Sequence, residues 1–163
     1  MDRPNLIRAL GGGLIATLTI TAFLFLASSQ GYIPNNFFVL IGGGLTLTAR
    51  GMENFLWWWG LIWHLNFGSI VFPHLYVLAF YPMFRGRTWV RGLQFGAVLW
   101  LFAMVIAMPL FGYGLFAVET EYPAIVATGV LILHLIYGAI LGGIAGEPKE
   151  KVEYIRLDQS EAA

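Results

Sequence analysis

His64 and His134 are the residues whose type and setting could support chemistry, because each lies within a long stretch without charged residues. Two imidazoles on different helices can hold a haem iron from both faces. Alternatively, each ring hydrogen-bonds a carbonyl or hydroxyl group on a neighbouring helix, with Thr17, Thr19 or Thr21 available to one of them. The sequence therefore leaves two hypotheses: a haem b with His64 and His134 as axial ligands, or a structural role for both rings.

Other polar residues give weaker patterns. His74 follows Pro73 directly, and we interpret it as a hydrogen-bonded residue beside a kink and not as a ligand. Ser69 lies five residues after His64, about 140° around a helix, without a nucleophile-elbow motif, which argues against a serine hydrolase. No Asp or Glu lies inside the apolar stretches, so a proton or ion transporter has no obvious carrier. We predict no catalytic activity of its own, and no metal other than the iron of a bound haem.

The composition is typical of a membrane protein. Of 163 residues, 58% are hydrophobic and 11% are charged, against about 25% charged residues in a typical soluble domain. This excludes a soluble enzyme or a disordered regulator, and the absence of cysteine excludes a disulfide-stapled module. Nine basic residues balance nine acidic ones, so the chain has no electrostatic basis for a nucleic-acid partner.

Four charge-free runs divide the chain, at 9–49, 54–84, 92–118 and 122–146. Because a helix needs roughly 20 apolar residues to cross a bilayer, we predict one span in each run, the first from about Ile7 to Ser28. The segment 37–49 in the first run is too short to cross, and we expect it to be interfacial or re-entrant. In the second run, Pro73 should kink the span and Pro82 should mark its end.

The basic residues predict the orientation. Eight of the nine precede the first span, lie between the second and third, or follow the fourth, and only Arg50 lies on the other side. The positive-inside rule then places both termini in the cytoplasm and predicts a multi-pass domain in the cytoplasmic membrane. Residues 147–163 form a polar tail. A signal peptide is the alternative for the first run, which is rather long for one.

The chain also contains an internal similarity. Residues 61–71 align with 131–141, with six of eleven positions identical, including His64 and His134. The first and third spans match at a constant offset of 83, which pairs Arg8 with Arg91, Leu10 with Leu93, Gly13 with Gly96, Leu18 with Leu101 and Gly31 with Gly114. We therefore predict an all-α domain over 1–146, built from two tandem hairpin repeats at about 5–84 and 88–146. A pseudo-twofold axis along the membrane normal should relate them.

The motifs resemble those of a family of small bacterial four-span membrane proteins of unknown function. The matching residues are Gly13, Thr17 and Thr21 in the first span, His64 and Gly68 in the second, and the run from His134 to Gly142 in the fourth. The resemblance covers most of residues 5–146 and implies the four-span fold, but no activity.

The small size, the short loops and the aromatic content of 16% favour an accessory protein. Aromatic faces such as Phe55, Trp58 and Trp63 suit a protein partner as well as the lipid bilayer. We therefore expect a non-catalytic subunit of a larger membrane complex, respiratory or electron-transferring. The alternatives are a membrane b-type cytochrome and a protein that binds a small molecule between its two halves.

Overall fold

A computed structural model describes residues 3–30, 37–46 and 53–147. Within these ranges the chain is helical and has no strand. Four helical segments are long and apolar enough to cross a membrane: Leu6–Ser29, Asn54–Phe80, Thr88–Leu110 and Pro123–Ala145. They are called the first to fourth spans below. The all-α, four-span prediction is therefore confirmed, whereas the predicted tail lies outside the described residues, apart from Glu147.

The first and fourth spans are uninterrupted α-helices. The first begins after Asn5, whose side-chain oxygen accepts a hydrogen bond from the Arg8 amide at 3.1 Å and so caps the helix. The fourth begins with Pro123, whose fixed φ and missing N–H suit the first turn of a helix. It ends before Gly146, which adopts a positive φ of 71° and thereby ends the helix.

The second and third spans contain π-helical turns beside their prolines. The second comprises Glu53–Asn66 (α), Phe67–Val71 (π), Phe72–Leu75 (α) and Tyr76–Phe80 (π). The third comprises Thr88–Phe102 (α), Ala103–Ala107 (π) and Met108–Leu110 (α), and a 3₁₀ turn, Leu115–Ala117, follows it. The amide before each proline bonds the carbonyl five residues earlier: Phe72 to Phe67 and Met108 to Ala103.

The π turns have a local cause. A proline has no N–H to donate, and its ring would collide with the carbonyl four residues earlier in an α-helix. A wider turn avoids this collision. The predicted disturbance at Pro73 therefore takes the form of a π turn. Pro82 lies in the turn directly after Phe80, as predicted.

The short helix Phe37–Thr46 packs antiparallel to the Glu53–Asn66 part of the second span. Gly42 contacts the backbone of Leu56, and Gly60 contacts the carbonyl of Phe38. At ten residues the helix is too short to cross a bilayer, as expected. Phe38 is buried and its ring lies 5.6 Å from that of His64, so the helix begins at the depth of His64. This geometry favours the re-entrant alternative; residues 47–49 lie outside the described part.

Glycines bring the spans into backbone contact. In the first span, Gly12 faces Leu141 and Ile144 of the fourth span, whereas Gly13 faces Gly68 and Pro73 of the second. The first span therefore lies between the second and the fourth. Such approaches are characteristic of membrane bundles, where small residues let helices pack closely.

The third and fourth spans pack in the same way. Gly92 contacts the Gly138 carbonyl, Gly96 contacts the His134 carbonyl, and Gly142 contacts the Thr88 carbonyl. The third span reaches the second near its own start, where Phe95 lies 5.3 Å from both Tyr76 and Phe80.

Candidate functional site

His64 bonds to the first span. Its Nε2 lies 3.1 Å from Oγ1 of Thr21, and Thr21 in turn lies 2.8 Å from the Thr17 carbonyl. Because that carbonyl accepts the threonine hydroxyl proton, His64 donates its Nε2 proton to Thr21. The predicted bond from one histidine to a first-span threonine is therefore confirmed.

His134 bonds within its own helix. Its Nδ1–H donates to the carbonyl of Val130 at 2.8 Å. The expectation of a partner on a neighbouring helix is wrong for this ring, because a helical side chain leans over the preceding turn and meets its carbonyl first. The bond fixes the tautomer that leaves a lone pair on Nε2.

The second and fourth spans are joined directly by a hydrogen bond of 2.6 Å from the hydroxyl of Tyr137 to the carbonyl of Gly68. Because His64 lies four residues before Gly68 and His134 lies three residues before Tyr137, the bond places the two histidines at a similar depth. Sequence reasoning singled out this pair of histidines but missed the bond beside it. Pro73 is the sequence feature that could have predicted this bond. In a π turn the Gly68 carbonyl would bond the amide five residues later, and proline has no N–H.

An aromatic ladder, defined as Phe55, Trp59, Trp63, Phe67 and Phe72, runs along the second span to Tyr137. Successive ring centroids lie 6.0, 5.7, 5.3 and 5.7 Å apart, and Phe72 lies 6.3 Å from Tyr137. The spacing is four residues until the π turn, where it becomes five. Because a π turn holds more residues than an α turn, Phe72 stays on the same stripe.

Two buried polar atoms of the second span have no hydrogen-bond partner among the described residues, Nε1 of Trp63 and Oγ of Ser69. Buried indole N–H groups usually find an acceptor. In the middle of a bilayer no water can replace one.

A haem between His64 and His134 would need both Nε2 atoms to face each other across the iron, with room for the porphyrin between the helices. His134 suits this role, because its lone pair is on Nε2. His64 does not, because its Nε2 bonds Thr21. The contacts of Tyr137 with Gly68 and Phe72 also hold the two helices together one turn away. The described arrangement therefore does not fit a haem held by both rings, and ligation would require His64 to leave Thr21.

The remaining candidates are placed as follows. His74 donates from Nδ1 to the carbonyl of Ile70 at 2.7 Å, which confirms the hydrogen-bonded interpretation. Ser69 has no hydrogen bond to a histidine among the described residues. Within the same ranges, no group of three or more His, Cys, Asp or Glu side chains could hold a metal ion.

A family model, described as a family of unknown function (DUF6789), matches residues 4–154 of the chain. No curated protein and no solved structure matches the chain.

Proposed function

The chain belongs to this family of unknown function, and from that premise we propose that it is a non-catalytic membrane subunit that packs against a larger membrane complex. The family resemblance read from the motifs is thereby confirmed. The family name assigns no activity, so the proposal depends on the surface of the second span.

The observation that carries the proposal is the pair of unpartnered polar atoms, Nε1 of Trp63 and Oγ of Ser69. Leaving a buried donor unsatisfied costs about 1–3 kcal/mol, and the bilayer core offers no water in compensation. A polar group of a partner helix would remove this cost after a small side-chain rearrangement. The cost of these two groups therefore supports docking on the second span.

The exposed face of the same helix supports docking. Phe55, Trp58 and Ile62, spaced as one helical face, are 51%, 61% and 55% exposed. Within Glu53–Asn66 the packing is against the short helix and the first span, so no other described element covers the aromatic face. Large aromatic side chains concentrate at the centres of protein interfaces.

A crosslinking experiment tests the proposal. A photoreactive residue at Trp58 should capture one protein in stoichiometric amounts in native membranes, whereas the same residue at Ile125, which is 70% exposed on the fourth span, should capture lipid. Trp58→Ala should reduce copurification of that protein in mild detergent, and Ile125→Ala should not. A stable, partner-free monomer with lipid crosslinks alone at Trp58 would contradict the proposal.

As the host we propose a respiratory or electron-transfer complex of the bacterial cytoplasmic membrane. Its support is the small size of the chain and the short loops between the spans, which suit an accessory subunit of such a complex. The cytochrome alternative, with haem b on His64 and His134, stays a prediction. A reduced-minus-oxidised spectrum decides it: absorbance that is lost in the double variant His64→Ala/His134→Ala supports the cytochrome, and a colourless protein from haem-replete cells rejects it.

We also infer that the two hairpins are copies with the same orientation. The predicted repeat pairs Gly13 with Gly96 and Gly68 with Gly138, and both hairpins contain a contact between glycines of their two helices. Gly13 contacts Gly68 in one hairpin, and Gly96 contacts Gly138 in the other. The bond from Tyr137 to Gly68 places His64 and His134 at a similar depth, which supports the same pairing.

A further inference from the structure

We propose that Arg91, together with Arg8, binds the phosphate of an anionic phospholipid headgroup at the arginine end of the bundle. This end is defined as the one where the first and third spans begin and the second and fourth spans end. The proposal is independent of docking on the aromatic face, which lies toward the other end of the second span.

Two contacts hold the Arg91 guanidinium in place. Its Nε–H donates to the carbonyl of Gly86 at 3.0 Å, and its central carbon lies 4.4 Å from the centroid of the Tyr81 ring. Tyr81 is only 1% exposed, so the ring is a fixed support for the cation. Gly86 adopts a φ of 103°, a conformation that only glycine takes readily, and this turn presents its carbonyl to Arg91.

These contacts leave the binding face of the guanidinium available. The hydrogen bond uses Nε alone, and among the described residues the two terminal amino groups have no other hydrogen-bond partner. A planar guanidinium that is already oriented binds a phosphate through paired N–H groups with little further loss of side-chain freedom.

Arg8 lies against the end of the fourth span. Its guanidinium atoms are 3.3 Å from the position that a Cβ atom of Gly146 would occupy. No described carboxylate pairs with it. The side chain is exposed, and Gly146 adjoins Glu147, which bonds the hydroxyl of Tyr81 beneath Arg91, so Arg8 lies at the same end of the bundle as Arg91.

The local charge favours an anion. Five arginines occupy this end within the described residues: Arg3, Arg8, Arg85, Arg87 and Arg91. The one described carboxylate among them is that of Glu147, and it accepts a hydrogen bond from the Tyr81 hydroxyl at 3.2 Å. Positive charge is therefore in excess among the described residues of this end.

The position points to a lipid as the source of the phosphate. The third span begins at Thr88, and Trp89 beside it is 47% exposed. An exposed tryptophan at the end of a span is typical of the headgroup layer of the membrane. Basic side chains between spans at this depth bind anionic headgroups.

Native mass spectrometry of the full chain in mild detergent tests this proposal, with phosphatidylglycerol and phosphatidylcholine as probes. We expect retention of phosphatidylglycerol over phosphatidylcholine, and about tenfold weaker retention in Arg91→Gln, the loss expected for one charge-assisted phosphate contact. Arg91→Lys should also weaken it several-fold, because lysine keeps the charge but not the planar fork. Arg85→Gln, which removes the same charge from the same end, should change it by less than about twofold.

Three outcomes would contradict the proposed lipid site. The first is equal retention of both lipids, and the second is an equal loss of phosphatidylglycerol retention in Arg91→Gln and Arg85→Gln. The third is displacement of phosphatidylglycerol by inorganic phosphate, which would assign the contact to a free ion. Should Arg91→Gln prove unfolded by circular dichroism, Arg8→Gln serves instead. Its side chain supports no described hydrogen bond, and it should lower retention about threefold.

Discussion

The hydroxyl of Tyr137 in the fourth span donates a 2.6 Å hydrogen bond to the carbonyl of Gly68 in the second. The bond satisfies the Gly68 carbonyl, which the π turn leaves without a backbone hydrogen-bond donor. The amide of Phe72 bonds the carbonyl of Phe67, and Pro73, the next residue in reach of Gly68, has no N–H to offer. Because both groups are buried, a side chain from another span satisfies a backbone carbonyl that its own helix cannot.

Tyr137→Phe should destabilise the protein by about 1–2 kcal/mol, toward the upper limit for hydrogen bonds within membrane bundles. The cost is high because the Gly68 carbonyl is left buried without a partner. Unfolding in mixed micelles of dodecyl sulfate measures it. Tyr122→Phe, at a tyrosine that is 59% exposed, is the matched control and should have no effect.

A Pro73→Ala background tests the explanation of this bond. Alanine restores an amide near the Gly68 carbonyl, so Tyr137→Phe should cost clearly less in this background than in the natural chain. Equal costs in both backgrounds would show that the carbonyl does not depend on Tyr137 for the reason given.

Close helix packing predicts opposite effects at two neighbouring glycines. A methyl group at Gly13 would collide with Pro73 and with the Gly68 carbonyl, whereas one at Gly11 would meet nothing within 4 Å. Gly13→Ala should cost about 1–3 kcal/mol through overpacking. Gly11→Ala should be neutral or stabilising, since alanine favours a helix by up to about 1 kcal/mol. A loss at Gly11 equal to that at Gly13 would refute the packing described for the first span.

The His64–Thr21 bond predicts coupling between the two residues. Thr21→Val should cost about 0.6–1.7 kcal/mol, the range measured for hydrogen bonds between membrane helices. Thr19→Val should cost less, because that hydroxyl is exposed and bonds only the Ile15 carbonyl of its own helix. In a His64→Phe background the extra cost of Thr21→Val should disappear, as a double-mutant cycle can measure.

Orientation can be tested with single cysteines, because the chain has none of its own. Arg85 and Glu119 are both exposed and lie at opposite ends of the third span. If the arginine end is cytoplasmic, a membrane-impermeant maleimide added to intact cells should label Glu119→Cys and leave Arg85→Cys unlabelled until the membrane is permeabilised. Labelling in the reverse order would invert the proposed topology.

Local composition was sufficient to predict the spans. The first span was placed within one residue at each end of Leu6–Ser29, because charge-free runs and flanking arginines are local properties of the sequence. The sequence predicts a bond from a histidine to one of three threonines and does not select Thr21. Helical spacing determines which side chains share a face, but not which of them lies within hydrogen-bond distance of another span.

The amino-acid order by itself determined that the chain forms four apolar helices, where the first of them begins and ends, and that two histidines lie within the others. Only the tertiary structure decided that His134 bonds its own helix and that the Gly68 carbonyl accepts its hydrogen bond from Tyr137, 69 residues away. The reason is physical. Helix formation depends on neighbours within one or two turns, whereas the rotation of one helix against another follows from the summed contacts of all four.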